Sequence, residues 1–367
     1  MKSPTVSFII PVRNDAKRLE SCLRSIQANS FSGTRIEVVV VDNGSTDGSA
    51  DVARKLGALV IESSSSCVAE LRNIGAAQSA GEILAFVDAD HEISAAWVRA
   101  AMDTLRTPSV AAAGALCHAP IDGTWVQRAY GLLRGLPKGS QDVEWLGSGN
   151  LVVRRTVFQA VGGFDTALIT CEDVDLCNRI RAAGLRIVSN ADMKNVHYGD
   201  PATLRELFKG ELWRGRDNLR VSFRTRLSWR GLPSVVIPIV DVAMIAAMIF
   251  GIAASAAGSG MGLLIATFAA AVIAGASTLR VLRLLSTQRR VRPVSLLQAL
   301  VVSCVYDLGR ALALVMRTPH RSAPAEMLAA QWLLFACSSC GACGALAEGP
   351  KKRFSWERHA AIQAGTR

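Results

Sequence analysis

The sequence predicts an α/β domain with a mostly parallel sheet, followed by an α-helical membrane domain. Over residues 1–200, short apolar strands alternate with helical segments, as they do when helices cover a parallel sheet. Residues 233–346 instead contain long apolar runs with few charges, which is typical of membrane spans. The change in composition predicts a boundary near 200–232 in this chain of 367 residues.

The elements of the first domain follow one another in regular order. After the first strand, Asn14 and Asp15 can cap a helix whose apolar residues recur at helical spacing. The expected strands are Val6–Ile10, Ile36–Val41, Leu59–Ile61 and Ile83–Val87, and the helices between them run through Leu19–Ile26, Val52–Leu56 and 68–79.

Two carboxylates, Asp88 and Asp90, stand one residue apart where the fourth strand ends. Side chains two positions apart on a strand point the same way, so we expect Asp88 and Asp90 to converge at its carboxyl end, where open α/β sheets bind ligands. Two oxygen donors at this point suit Mg²⁺ or Mn²⁺ carrying a phosphate. A solvated turn at the end of a strand is the alternative interpretation.

The second strand ends at a polar loop that begins with Asp42 and Asn43. The Asp42 carboxylate can accept hydrogen bonds from a nucleobase N–H or a ribose hydroxyl, while Gly44 and Gly48 permit close backbone approach. The same residues are ordinary in turns and helix caps, so both interpretations stay open. No Gly-x-Gly-x-x-Gly follows the first strand, which disfavours a dinucleotide-dependent oxidoreductase.

Much of the net charge of +11 lies beside the apolar segments. Basic residues that flank membrane spans indicate the cytoplasmic side and attract anionic lipid. The chain lacks the aromatic-rich basic motifs of RNA binders, so we expect no nucleic-acid partner. Its nine cysteines form no disulfide pattern, and we interpret Cys337, Cys340 and Cys343 as small helix-packing residues rather than a metal site.

The first domain contains an ordered series of short motifs over about residues 5–200. They are Phe8–Asn14, Val40–Asp47, Arg72–Ala76, Asp88–Asp90, Gly147–Asn150, Arg154–Arg155, Gly162–Asp165, Glu172–Leu176 and Arg181–Gly184. This series resembles the nucleotide-sugar half of a family 2 glycosyltransferase with the GT-A fold. The resemblance implies a mostly parallel, Rossmann-like sheet, a nucleotide-diphosphate sugar as donor and Mg²⁺ or Mn²⁺ as cofactor.

The resemblance also implies roles for individual residues. A metal ion held by Asp88 and Asp90 would stabilise the charge on the leaving diphosphate. His197 completes the metal or diphosphate site, or is a structural histidine, and Arg72 pairs with the base or phosphate, or is a helix-surface arginine. The residues assigned to the donor are Pro11, Val12, Arg13, Asn14, Asp42, Asn43, Arg72, Asp88 and Ala89.

An inverting transfer needs a carboxylate that removes the proton of the acceptor hydroxyl as it attacks. Glu172 and Asp173 resemble the acidic pair on the acceptor side of the family, and we expect Asp173 to be the base, with Glu172 as the alternative. Asp175 would support the following helix, because acidic residues are favoured in a first helical turn. Without the resemblance, the whole group would be interpreted as an acidic helix start.

Residues 201–232 form the expected interfacial segment. Apolar and basic residues alternate from Leu204 to Arg220, which predicts an amphipathic helix on the membrane surface; packing on the catalytic domain is the alternative. Processive polysaccharide synthases carry Gln-x-x-Arg-Trp at about this place. This chain has Glu211-Leu212-Trp213-Arg214-Gly215 instead, which disfavours processive polymerisation.

The expected membrane domain covers 233–346. Segments 233–256 and 259–279 are each long enough to span, and the short link between them makes them an antiparallel pair. Two further segments, 295–316 and 327–346, are also expected to span; the first contains Asp307 and Arg310, at a spacing where they can pair. A basic cytoplasmic tail, 347–367, follows.

The chain opens with a strand rather than a signal peptide, so we expect residues 1–200 to stay in the cytosol as a catalytic domain. We therefore expect a multi-pass protein of the inner (plasma) membrane. It is expected to transfer a single sugar, with inversion, to a glycan or lipid-linked acceptor, such as a polyprenyl-linked saccharide in cell-surface glycan biosynthesis. A non-catalytic nucleotide-sugar-binding scaffold and a processive synthase are the alternatives. Membrane lipids, the sugar donor and the acceptor are the expected partners.

Overall fold

The computed structural model describes residues 6–29, 34–65, 67–135, 139–224, 228–229, 231–287 and 292–316. The strands are β1 (Val6–Val12), β2 (Ile36–Asp42), β3 (Leu59–Glu62), β4 (Ile83–Val87), β5 (His91–Ile93), β6 (Val110–Gly114), β7 (Ser140–Asp142), β8 (Asn150–Arg154), β9 (Arg186–Asn190) and β10 (Asn195–His197). The helices are α1 (Ala16–Gln27), α2 (Ser49–Lys55), α3 (Val68–Gln78), α4 (Trp97–Leu105), α5 (Trp125–Arg134), α6 (Arg155–Ala160), α7 (Glu172–Ala182), α8 (Leu204–Arg214), α9 (Asn218–Ser222), α10 (Leu232–Ala256), α11 (Gly260–Thr287) and α12 (Pro293–Leu312).

Eight of these strands form one sheet in the order β3-β2-β1-β4-β8-β6-β9-β7. Strand β1 is parallel to β2 and β4, and β2 is parallel to β3. Strand β8 runs antiparallel to both of its neighbours, and β7 is antiparallel at the far edge. The sheet confirms the predicted α/β class, and the strands expected before residue 90 lie where the apolar runs placed them.

Helices cover both faces of this sheet. On one face, α1 and α4 bury Leu23 and Trp97 against Phe8, whose ring centroid lies 5.5 Å from that of Trp97. On the other face, α6 and α7 bury Phe158 and Ile180 with the inner strands. Truncation of a side chain as large as Trp97 in such a core costs about 3–5 kcal/mol. The two layers of helices packed on the sheet therefore hold the carboxyl ends of β1, β2 and β4 at one edge of the domain.

A separate two-stranded ribbon crosses this edge. Strands β5 and β10 pair antiparallel, with His197 directly opposite His91. Because β5 begins immediately after Asp90, the ribbon carries a histidine from late in the chain to the end of β4. Long-range pairing of this kind cannot be derived from local sequence patterns.

The segment after residue 200 lies between the first domain and the C-terminal helices. Leu207 of α8 is buried in one cluster with Tyr130 of α5 and Val302 of α12. Glu211 is fully buried and accepts hydrogen bonds from the Tyr130 hydroxyl at 3.0 Å and from Nε of Arg310 at 2.7 Å. The alternative in which α8 packs on the catalytic domain is therefore observed, and contact with a membrane surface stays a prediction.

Three helices within the described residues are long and apolar enough to cross a membrane, namely Leu232–Ala256, Gly260–Leu284 and Pro293–Leu312. The first two form a helical hairpin whose tight turn contains Gly258 at a φ of +90°, a conformation that favours glycine. The expected span 327–346 with its three cysteines and the tail 347–367 lie outside the described residues.

The expected pairing of Asp307 with Arg310 is wrong. Asp307 accepts hydrogen bonds from Ser277 Oγ at 2.9 Å and from Nη2 of Arg280, both on α11. Arg310 instead points to Glu211 of α8. The i, i+3 spacing on one helix permitted the pair, but each side chain has its charged partner on a neighbouring helix.

Candidate functional site

The ends of β1 and β2 form a joined pair of loops. Pro11 and Val12 lie in register with Val41 and Asp42, and the Asn43 N–H donates to the Val12 carbonyl at 2.9 Å. Asn14 follows at a φ of +52°, and its Oδ1 accepts from the Thr46 N–H at 2.7 Å. Arg13 and Asn14 are exposed beside this junction. The residues predicted to line a nucleoside therefore lie together on one edge.

Asp42 occupies the floor of these loops and is only 4% exposed. Its Oδ2 accepts the Ser45 N–H at 3.0 Å, which is the turn chemistry that the sequence allowed. Its Oδ1 is buried and has no hydrogen-bond partner among the described residues. Because an unsatisfied buried carboxylate oxygen is costly, this atom is available to accept a further hydrogen bond.

Arg72 lies at the centre of a buried carboxylate network. Its Nη1 donates to Oε1 of Glu172 at 2.8 Å, and its Nη2 donates to Oδ1 of Asp88 at 2.7 Å. Burial opposes the charge, but the two carboxylates raise the pKa of Arg72 above its ordinary value. At 3% exposure Arg72 is not a helix-surface arginine, and that alternative is wrong.

Asp88 and Asp90, which we expected to converge on one point, have different partners. Strand β4 ends at Val87, so both carboxylates lie in the turn before β5, where side chains no longer alternate. Asp88 is directed to Arg72, whereas Asp90 contacts the two histidines of the ribbon. Ala89, between them, is buried at 6% exposure.

Asp90, His91 and His197 form a cluster that can hold a metal ion. One ligand atom from each lies within 4.8 Å of the other two. Nε2 of His197 is 3.3 Å from Oδ2 of Asp90, and Nε2 of His91 is 3.8 Å from Oδ1. The cluster includes the predicted ligands Asp90 and His197 and a third, His91, that sequence reasoning missed; Asp88 is outside it.

The charges of this cluster suit cation binding. Burial acts to raise the pKa of Asp90, but the hydrogen bond from His197 holds it well below its usual range. Burial lowers the pKa of His91 to about 4, which leaves the imidazole neutral. Burial also acts to lower the pKa of His197, but hydrogen bonds to Asp200 and Asp90 raise it to about 9, so a bound metal would replace its proton.

Other polar side chains orient the two histidines. Nδ1 of His197 lies 2.8 Å from Oδ1 of Asp200, which in turn accepts from Nη1 of Arg134 at 3.1 Å. Nδ1 of His91 lies 2.8 Å from Nδ2 of Asn195, and this contact fixes the orientation of the imidazole ring.

Glu172 and Asp173 begin α7 but have different surroundings. Glu172 is held by Arg72 and by Ser148, whose Oγ lies 3.4 Å from Oε1. Among the described residues, Asp173 accepts hydrogen bonds from backbone N–H groups, including that of Val174 at 2.7 Å. Burial and the neighbouring Glu172 raise the pKa of Asp173 to about 7. Asp173 can therefore take up a proton near neutral pH.

The loop Gly147–Gly149 connects Asp173 with the metal cluster. A Cβ atom on Gly149 would lie 2.8 Å from Oδ2 of Asp88 and 2.6 Å from Cε1 of His91. A Cβ on Gly147 would lie 3.8 Å from Oδ2 of Asp173. Glycine is required at 149 because the backbone passes directly against the site.

A model of the family described as Glycosyl transferase family 2 matches residues 7–158. Glycosyltransferase AglE of Haloferax volcanii is 31% identical over 236 residues, which cover 62% of this chain and 77% of the relative. The chain belongs to glycosyl transferase family 2. The pre-mycofactocin glycosyltransferase of Mycobacterium tuberculosis is 29% identical over 195 residues, which cover 50% of this chain and 40% of the relative.

Among solved structures, the mannosyltransferase PcManGT from Pyrobaculum calidifontis, in complex with GDP-Man and Mn²⁺, is similar in fold. The TM-score is 0.57 at 20% sequence identity, over 84% of this chain and 88% of that chain. This likeness confirms the GT-A fold. The protein is a glycosyltransferase that uses a nucleotide-sugar donor, so a non-catalytic scaffold is not favoured.

The glycosyltransferase motifs explain most of the site, but His91 and Asp200 were missed by sequence reasoning. His91 directly follows Asp90, and Asp200 follows His197 by three residues. That spacing was a usable signal, since an aspartate beside a histidine often orients it. The Glu211–Gly215 segment stands in place of the processive signature and has a structural role. Glu211 accepts hydrogen bonds from Tyr130, Arg214 and Arg310.

Proposed function

We propose that this glycosyltransferase transfers a single sugar, with inversion, from a nucleotide-diphosphate sugar to an acceptor at the membrane, with a divalent metal ion at Asp90, His91 and His197. The observation that carries the proposal is the arrangement around Gly147–Gly149. This loop has the metal-type cluster at one end and Asp173, a carboxylate with a pKa of about 7, at the other. A donor held at the cluster would present its sugar between them.

The first step is binding of the donor. The unpaired Oδ1 of Asp42 would accept the N–H of a nucleobase, and Pro11, Val12, Arg13, Asn14 and Asn43 would form the walls around the nucleoside. Asp88 would contact the donor through the oxygen that Arg72 does not occupy. Arg72 then acts chiefly by holding Asp88 in place, rather than by binding a phosphate directly.

The carboxylate and two imidazoles at Asp90, His91 and His197 fit a divalent ion. This donor set, one oxygen and two nitrogens, suits Mn²⁺ better than Mg²⁺, which prefers oxygen ligands. When bound, the metal supplies positive charge that stabilises the leaving diphosphate. Asp200 and Arg134 keep the His197 ring aimed at that position.

Asp173 serves as the base. The acceptor oxygen attacks the anomeric carbon as the bond from that carbon to the diphosphate oxygen breaks, and the nucleoside diphosphate leaves with the bonding electron pair. The proton of the acceptor hydroxyl passes to Asp173, and attack from the face opposite the leaving group inverts the configuration. Burial and the neighbouring Glu172, which is ion-paired with Arg72, raise the pKa of Asp173.

The helical hairpin of α10 and α11 supports a membrane-held acceptor. We propose that residues 1–200 form the catalytic domain on the cytosolic side, that 201–232 contact the surface of the inner membrane, and that the helices after 232 anchor the protein in it as a multi-pass protein. An anchor of this kind keeps the site close to a lipid-linked saccharide on the way to a surface glycan. Single transfer is supported by the absence of the processive signature from the sequence.

The test uses the full chain in membranes. Purified membranes are offered a panel of nucleotide sugars with Mn²⁺ or Mg²⁺ and lipid extract, and nucleotide release is measured together with product mass and anomeric configuration. We expect one donor to support transfer of one sugar with inversion, and loss of turnover in Asp90→Ala and Asp173→Asn. Wild-type turnover in both variants, a retained configuration or a ladder of products would overturn the corresponding part of the proposal.

A further inference from the structure

Helix α12 is long and apolar enough to cross a membrane, but its contacts show a different course. The hairpin of α10 and α11 has a turn at Gly258 and, at its other end, a foot formed by the start of α10 and the end of α11. The 20 residues of α12 form a helix about 30 Å long. If α12 crossed a membrane beside the hairpin, one of its ends would therefore lie near the turn.

The first two turns of α12 contact the end of α11. Leu296 and Ala299 pack in one apolar cluster with Val281 and Leu284 of α11. Leu132 of α5, in the first domain, packs against the same cluster. The start of α12 therefore lies at the foot of the hairpin, beside the catalytic domain.

The last turns of α12 lie at this foot as well. Arg310 lines a small cavity together with Pro233 and Ser234, which are in the first turn of α10. Nε of Arg310 donates to Oε2 of Glu211 on α8 at 2.7 Å. A Cβ atom on Gly309 would lie 2.9 Å from Cβ of Glu211, so α8 and α12 are closely packed here. Because both of its ends contact the foot, α12 crosses the hairpin there rather than running along it.

The two faces of α12 differ in composition. On the opposite side from the protein contacts, Val294, Leu297 and Leu308 are 66%, 64% and 41% exposed, and Val301 between them is half-buried. These four residues recur at helical spacing and are all apolar. The face towards the protein contains the buried residues Ala299, Val302, Ser303, Asp307, Gly309 and Ala311. A helix whose outward face is apolar and whose polar groups are satisfied on the other side suits the plane of a membrane surface.

The position of the apolar face favours lipid as its partner. Arg280 of α11 forms an ion pair with Asp307 of α12, which fixes the level at which the two helices cross. Leu279 and Leu282, on either side of Arg280 in the sequence, are 54% and 53% exposed. The apolar outer surface of the hairpin therefore begins at the level of α12. Lipid that surrounds the hairpin in a membrane reaches α12 at the same level.

We infer that α12 lies in the membrane surface instead of crossing the membrane, with Val294, Leu297, Val301 and Leu308 in contact with lipid. The inference goes beyond the proposed function and uses its membrane anchor. Helices α10 and α11 cross the bilayer, and α12 forms a lipid-bound platform between their foot and the catalytic domain. The membrane thereby binds the chain both through a spanning hairpin and through an in-plane helix.

This platform is linked to the start of α7. The Arg214 carbonyl accepts from Nη1 of Arg310 at 3.4 Å and from Sγ of Cys171 at 3.7 Å. Cys171 immediately precedes Glu172, which is followed by the proposed base Asp173. Contact of α12 with lipid therefore sets the height of Asp173 above the membrane, where an acceptor held in the bilayer presents its hydroxyl.

The experiment measures the depth of single positions of the full chain in phosphatidylcholine nanodiscs. A nitroxide is attached at one position at a time through a genetically encoded ketone side chain, which leaves the nine cysteines in place. Electron paramagnetic resonance gives the collision rates of the nitroxide with oxygen, which concentrates in hydrocarbon, and with a water-soluble nickel complex. The positions on α12 and, as a matched control with the same spacing, on α10 are Val294, Val301 and Leu308 and Val236, Ala243 and Phe250.

We expect the three positions of α12 to lie at one depth, about 5–10 Å below the lipid phosphates. On α10 the central position should be about 10 Å deeper than the two outer ones, because that helix crosses the bilayer. A central position on α12 that is deeper than its neighbours by a similar amount would overturn the inference. Exclusion of both oxygen and nickel from α12, which means that protein covers the face, would also overturn it, as would free access of nickel.

The α10 positions separate this inference from the proposed membrane anchor. If α10 shows the depth profile of a spanning helix and α12 shows the same profile, only the inference fails. If α10 shows no depth profile, the proposed anchor fails and the inference fails with it, while sugar transfer is tested by turnover alone. An unchanged Tm shows that a label has not disturbed the fold, and Leu297 replaces Val294 if the label there lowers the Tm.

Discussion

Arg72 joins Glu172 to the rest of the site through a buried ion pair, with Nη1 of Arg72 2.8 Å from Oε1 of Glu172. The same guanidinium holds Asp88 at 2.7 Å, so a single side chain fixes one carboxylate beside the metal-type cluster and one beside the proposed base. Asp173, adjacent in sequence to Glu172, is left without a direct cation partner of its own among the described residues. This difference supports the proposal that Asp173, rather than Glu172, is the base.

Replacement of Arg72 by methionine is expected to destabilise the protein strongly. Two carboxylates would lose a partner in a site where the guanidinium is 4% exposed and Glu172 is 10% exposed, which costs about 3–5 kcal/mol of unfolding free energy. Chemical unfolding in detergent provides the measurement. Arg72→Lys keeps one charge but cannot bridge both acids, so its loss should be intermediate; equal stability of all three proteins would contradict the bridging role.

The pH profile of turnover should report Asp173. Because its pKa is raised to about 7, the carboxylate is largely protonated below that pH, and kcat should rise with pH through about 7 and then level off. Asp173→Asn should lower kcat by about 10²–10⁴-fold. Asp192→Asn, at an exposed carboxylate, is the matched control and should behave as wild type. A pH profile of kcat that is flat between about pH 5.5 and about pH 8.5, on both sides of a pKa of about 7, would exclude Asp173 as the base.

The same substitution is expected to stabilise the fold. A carboxyl group with a pKa of 3.8 when unfolded and about 7 when folded binds an extra proton in the folded state between those values, so its contribution to stability falls as pH rises from about 4 to 7. Asp173→Asn removes the free-energy cost of ionising this carboxyl group in the folded protein. The Tm of Asp173→Asn should exceed that of the wild type at pH 8 and approach it below about pH 4. A Tm below that of the wild type at pH 8 would mean that contacts stabilise the ionised Asp173 carboxylate, which contradicts the prediction.

His91 should contribute to metal affinity. We expect His91→Ala to weaken Mn²⁺ binding by about 10–100-fold in the presence of a nucleoside diphosphate, because one of the three nearby ligand atoms is lost. Electron paramagnetic resonance of free Mn²⁺ measures this without turnover. His118→Ala, at a histidine outside the cluster, is the control. Unchanged Mn²⁺ affinity in His91→Ala would restrict the site to Asp90 and His197.

Asp42 should determine nucleotide affinity. Asp42→Asn replaces the unpaired Oδ1 acceptor and its charge, and we expect about tenfold weaker binding of the nucleoside diphosphate in equilibrium titrations. Asp51→Asn, on the exposed surface of α2, should leave the affinity unchanged. If both variants bind the nucleotide as tightly as the wild type, the unpaired Oδ1 of Asp42 does not contribute to nucleotide binding.

Local patterns located the catalytic fold well because its strands are continuous apolar runs. Strands β1, β2 and β4 begin where the sequence placed them, and the turns after them carry the expected polar residues. The apolar segments after residue 232 were equally clear, since length and composition alone decide whether a helix can cross a membrane. Asp307 and Arg310, by contrast, form ion pairs with residues of α11 and α8, and these pairs cannot be derived from spacing along one helix.

By itself the sequence determined the fold class, the order of the motifs, and the presence of carboxylates and a histidine suited to metal-assisted sugar transfer. Only the tertiary structure decided which of them lie together: it turned Asp88 towards Arg72, set His91 opposite His197 through the β5/β10 ribbon, and placed Asp173 beside Glu172. The reason is physical. Strand and helix propensities depend on neighbouring residues, whereas ion pairing, ligand geometry and pKa depend on distances between atoms that the chain brings together from far apart.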